Sequence, residues 1–128
     1  MANHLPKILI VCGLALIAAP AQQAAAKCVA PATVDGLWLG DDGGTYYVRV
    51  LKHDVFWVGM SGDNGRSWTH VFHGIPKGFE ISGEWADVRG NKGAGAMSVR
   101  VIGTTQMVRK EALGSGFAAT RWHRPGCR

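Results

Sequence analysis

The chain has 128 residues, 47% of them hydrophobic, with 14 basic and 9 acidic side chains and a net charge of +5. That length suits one small domain and excludes a propeller, which needs at least four blades of four strands. The positive balance argues against strongly basic target proteins.

In chain order, a short basic start ending at Lys7 precedes the apolar run Ile8–Ala19, and small residues follow at Ala19-Pro20-Ala21 and Ala24-Ala25-Ala26. This pattern predicts a signal peptide over residues 1–26, with either alanine site as the cleavage point, and a single mature domain over 27–128. The apolar run is short for a membrane span, so a retained anchor is the lesser alternative. Val11 and Lys27 precede Cys12 and Cys28, where a lipoprotein site needs a small residue. Cys12 leaves with the signal. Cys28 and Cys127 remain, one at each end of the mature chain, and a periplasmic or secreted location favours their pairing.

From Gly36 onward the chain alternates in short runs broken by Gly, Asp, Asn or Pro, with no amphipathic helical window. Strands are predicted at 36–40, 45–52, 55–60, 68–75, 79–88, 97–103, 104–110 and 116–122, with turns at DDGG (41–44), His53-Asp54, SGDNGRS (61–67) and Pro76-Lys77-Gly78. Short links between successive strands favour an antiparallel meander, and closing it removes the exposed edges. The predicted fold is therefore all-β, an up-and-down barrel of about eight strands, with a β-sandwich as the alternative.

Two stretches resemble known patterns. Ser61, Asp63, Gly65, Ser67 and Trp68 are similar to the Asp box of sialidases. In those families the motif is a structural hairpin away from the active site, and a structural role follows here from the turn chemistry of Asp63, Asn64 and Gly65 alone. The run Gly36-Leu37-Trp38-Leu39-Gly40, followed by Asp41–Tyr46, resembles the first hairpin of avidin and streptavidin, and its Gly-x-Trp is shared with lipocalins. The resemblance implies a closed eight-strand barrel. It does not carry biotin binding, because Gly40 and Gly44 stand where the avidin pattern has a ligand-binding Asn and Ser. More broadly the chain resembles small exported bacterial proteins of unestablished activity, through segments similar to DGGTYY, DNGRSW and GEWADV.

Trp38, Trp57, Trp68, Trp85 and Trp122 fall on different predicted strands. They serve either as core or as an aromatic pocket at a barrel mouth. The pocket hypothesis places Trp38, Tyr46, Trp57 and Trp85 around a ligand, with Asp42 and Thr45 as polar groups on a rim that opens toward the 41–45 turn. Glu80 and Glu84 share one strand face and Asp87 takes the other, a set that would serve a small hydrolase only if the carboxylates converge. His70 and His73 are three apart and point to opposite faces, and no metal spacing or nucleophile motif is present in the sequence. The basic end Arg121-Trp122-His123-Arg124, with Arg128, is expected to be solvated, with no nucleic-acid partner. The leading expectation is an exported, non-catalytic barrel that binds a small, partly apolar molecule without a cofactor or metal. A protein-interaction module, such as a periplasmic enzyme inhibitor or assembly subunit, is the first rival, and a small hydrolase is the second.

Overall fold

A computed structural model describes residues 27, 28, 30, 32–90, 92–114 and 116–127. The predicted signal peptide, Ser115 and Arg128 lie outside the described residues. Eight strands run in order: β1 (Gly36–Gly40), β2 (Thr45–Leu51), β3 (Asp54–Met60), β4 (Thr69–Lys77), β5 (Glu80–Arg89), β6 (Ala94–Ile102), β7 (Gln106–Ala112) and β8 (Arg121–His123). Each pairs antiparallel with the next, and β1 closes on β8 through Leu39 opposite His123 and Gly40 opposite Trp122. The architecture is a closed up-and-down barrel, and no helix occurs among the described residues.

The period-two alternation sets which side chains turn inward. The register stacks them in layers. One layer runs Trp38, Tyr46, Gly59, His70 and Asp87 around five strands. The next runs Val48, Trp57, Phe72, Trp85 and Gly95. Below it lie Val50, Val55, Gly74, Gly83 and Met97. Glycines sit where rings need the space: a Cβ on Gly59 would collide with the His70 and Tyr46 rings. The core is one cluster, and Trp38, Tyr46, Val99 and Met107 are completely buried within it.

Two sequence expectations change. The run 116–122 was expected as a strand, yet pairing begins only at Arg121. Residues 116–120 fold across the barrel end, where Phe117 packs on Trp85 and Ala119 is fully buried, so their alternation reflects burial in a cap and not a ladder. The basic end was expected to be solvated, yet Trp122 and Arg124 are buried. Three carbonyl acceptors make burial of the Arg124 cation tolerable: its guanidinium donates to Thr33 O at 2.8 Å, Thr104 O at 3.1 Å and Leu37 O at 3.2 Å. It also lies 4.2 Å over the Trp38 ring. Cys28 and Cys127 are joined by a disulfide beside this knot, with Cα atoms 4.6 Å apart.

Candidate functional site

At the end carrying the 41–45 turn, the sequence-predicted rim residues do come together, but as packing. The Tyr46 hydroxyl donates to Asp42 at 2.7 Å, and the second Asp42 oxygen accepts the Gly44 amide at 2.9 Å. Burial, reinforced by the Asp42 carboxylate, raises the Tyr46 pKa, so its hydroxyl stays a donor. Trp57 stacks on Phe72 at 4.0 Å and meets Tyr46 edge-on at 6.2 Å. Trp38 donates its indole N–H to Val34 O at 2.9 Å, toward the opposite end. Trp38, Tyr46, Trp57 and Trp85 are each 3% exposed or less, within the single core cluster. These four rings therefore fill the interior instead of bounding an opening toward residues 41–45. Thr45 is half-buried at the start of β2, opposite Met60. A side chain at Gly40 would collide with Asp42 and Tyr46, and one at Gly44 with Trp68, so both glycines are required by the packing of this end.

Over that packing lies a cap. Asp41 accepts from both the amide and the hydroxyl of Thr120, and Arg109 donates to Phe117 O at 2.8 Å. Burial alone would raise the Asp41 pKa, but these bonds bring it below its usual value. Beneath the cap, His70 is 5% exposed. Trp68 lies parallel to it at 5.0 Å, while Phe117 at 4.6 Å and Tyr46 at 5.4 Å are tilted against it. Its Nε2 has no hydrogen-bond partner among the described residues. Burial pushes the His70 pKa down to about 4, with the Asp87 charge opposing. The loop at 61–68 abuts this cluster. Asp63 accepts from the Arg66 amide at 2.9 Å, the Ser67 amide at 3.2 Å, and the hydroxyls of Ser67 and Ser61. Ser61 Oγ in turn accepts the Trp68 amide at 3.2 Å. The two serine hydroxyls hold the Asp63 carboxyl well below the usual carboxylate range. Asn64 and Gly65 adopt positive φ angles of 63° and 76°, the backbone that Asn and Gly tolerate best. Every lone pair this carboxylate uses here serves the turn.

The opposite end is different. There the segment 33–34, the β4–β5 turn and the β6–β7 turn surround a hollow of about 390 Å³. Val34, Val50, Val55, Ile81 and Val101 form its walls, and Phe79, 78% exposed, stands at the lip. Thr33 and Thr104 bring polar groups to its edge. Leu51, Ile75 and Ile102 extend the apolar surface around this end. Two cations sit in its turns, Lys52 after β2 and Lys77 at the end of β4, both exposed. Glu80 is held by Arg100 at 2.9 Å and Asp54 by His73 at 3.0 Å, while neither lysine has an ion-pair partner among the described residues. Sequence reasoning missed this hollow because its walls come from separate turns and its residues read as ordinary strand ends.

The hydrolase set does not assemble. Glu80 is tied to Arg100, Glu84 is exposed on the outer face, and Asp87 accepts the Gly93 amide at 2.9 Å. Among the described residues no cluster of His, Cys, Asp and Glu is gathered to hold a metal. The chain was compared with family models, curated proteins and solved structures, and none matches it.

Proposed function

We propose that this protein is an exported, non-catalytic binding protein that takes a small amphipathic molecule at the mouth formed by residues 33–34, 76–79 and 101–104. The supporting observation is the hollow itself, with valine and isoleucine walls and a volume of about 390 Å³, within the size range of small-molecule sites. An apolar tail fits those walls, and Lys52 and Lys77 favour an anionic head at the rim. Burying the tail contributes roughly 25 cal/mol per Å² of apolar surface, which amounts to a few kcal/mol for a short acyl chain. The disulfide is compatible with an oxidising compartment.

Isothermal titration of the disulfide-bonded protein with a medium-chain fatty acid tests this reading. One-to-one binding with a negative heat-capacity change is expected. The matching fatty alcohol should bind more weakly, and a Lys52→Glu, Lys77→Glu variant should erase that preference. Val101→Trp, which fills the mouth, should abolish binding while circular dichroism stays native. Binding unchanged in a folded Val101→Trp variant, or no binding of acid, alcohol or alkylamine, would sink the proposal.

A further inference from the structure

The outer face of β2–β5 carries two parallel rows set by the ladder. One runs Tyr47, Val58, Val71, Ala86 and the other Arg49, Phe56, His73, Glu84. In a solvated barrel this face is expected to be polar. Here Tyr47 is 50%, Val71 44% and Phe56 39% exposed. The Phe56 ring stacks on His73 at 4.6 Å, and His73 Nε2 lies 3.0 Å from Asp54, so the middle of the second row is flat. Bulk and charge are distributed asymmetrically. The β2 side presents a large ring and a cation, Tyr47 and Arg49. The β5 side presents a small side chain and an anion, Ala86 and Glu84. A groove of about 590 Å³ runs along that second side, floored by Ala86, Ala94 and Ala96 and flanked by Phe56 and Val71.

We infer that this face is the contact surface of a homodimer. The twofold axis lies in the interface, parallel to the strands and midway between β3 and β4. That operation places β2 of one copy over β5 of the other and β3 over β4, with levels along the strands preserved. Tyr47 then enters the alanine groove of the second copy, Val58 meets Val71, and the Phe56–His73 stacks face each other. Arg49 meets Glu84 twice, once on each side of the axis. The pairing opposes large to small and positive to negative at both flanks, and no like charges meet along these two rows. Four strands make up half the circumference of an eight-strand barrel, so β2 and β5 curve away from the axis. The long side chains Tyr47, Arg49 and Glu84 stand at those flanks, where reach is needed. Within one copy, Arg49 has only a loose contact with Asp35, at 3.9 Å and largely solvated, and Glu84 has no ion-pair partner among the described residues.

Sedimentation equilibrium of the disulfide-bonded mature protein, across a concentration series, is the test. A reversible monomer–dimer equilibrium is expected. Arg49→Glu and Glu84→Arg should each weaken dimerisation by tenfold or more, by setting like charges face to face. The double variant should regain most of the wild-type affinity, because each pair is restored with reversed sign. Ala86→Trp should fill the groove and leave a folded monomer. A wild-type protein that stays monomeric throughout, a dimer indifferent to Ala86→Trp, or a double charge reversal no tighter than the singles each overturns the inference.

Discussion

At the 41–45 end of the barrel, Tyr46, Trp68, His70 and Phe117 close over the interior, and Asp41, Asp42 and Asp63 tie the surrounding loops to backbone amides. At the other end, Val34, Val50, Val55 and Val101 leave a hollow, and Arg124 and the disulfide hold the segments around Thr33 and Cys127 together. Both ends follow from the same alternation of inward residues. What differs is the size of the side chains in the last layer and the number of carboxylates holding the loops. Rings with bonded turns make a lid that supports the fold. Branched aliphatic residues make a mouth that leaves apolar surface open to solvent.

The contrast can be broken most strongly through the disulfide. It joins residues 99 apart, and the chain-entropy model assigns such a bridge about 4–5 kcal/mol. Reduction should lower the unfolding free energy obtained from urea titration by about that amount. In hydrogen exchange, the Arg124 and Cys127 amides near the mouth should lose protection before the Asp41 and Gly44 amides at the capped end. Next in size, Trp57→Ala removes a ring stacked on Phe72 in the central layer and should cost roughly 3–5 kcal/mol in the same measurement. A loss below about 1 kcal/mol would mean the interior is not the packed support described here.

A third effect belongs to the capped end alone. The folded state holds the His70 pKa down at about 4, below the usual 6.5, so the folded protein binds fewer protons than the unfolded chain in that interval. Stability is therefore full above pH 6.5 and falls as the pH drops toward 4. Integrated over the shift, the loss is about 3 kcal/mol. His70→Phe should flatten the part of the stability curve between pH 6.5 and 4, and an unchanged slope would show that the imidazole is solvated. The smallest effect marks the mouth. Phe79→Ala should change stability by no more than about 0.5 kcal/mol, because the ring is mostly in water, while weakening fatty-acid binding several-fold.

Much of the barrel was legible because a strand with one buried face must alternate. β1 was read as residues 36–40, the bounds it has, and in β2 the period of two puts Tyr46, Val48 and Val50 on one face, which the structure shows to be the inner one. His70 and His73 do lie on opposite faces, one buried and one exposed. The residues after β7 were misread for a physical reason. Phe117 and Ala119 are buried two apart, as in a strand, but against a barrel end and not between neighbours. The site was less legible still. Aromatic residues near turns suggest a pocket equally well whether they line it or fill it. The hollow depends on valines that meet only once the turns are assembled. Arg124 looked like a tail because nothing local reveals that Thr33, Leu37 and Thr104 will offer it their carbonyls.

Sulfur joins Cys28 to Cys127, and the sheet joins β1 to β8, so the stretch from 28 to 127 is closed twice, once covalently and once through its ladder. It behaves as a circle with a seam. A single cut after Lys92, exposed between β5 and β6, releases no fragment: the two pieces stay linked through the bridge, and every ladder persists. Such a nicked chain runs as one band on a denaturing gel without reductant and as two with it. For the same reason the seam can be moved. Joining residues 28 and 127 by a short peptide and opening the chain at 91–93 preserves the order of all eight strands, giving a permuted barrel whose new ends emerge beside the cap instead of the mouth.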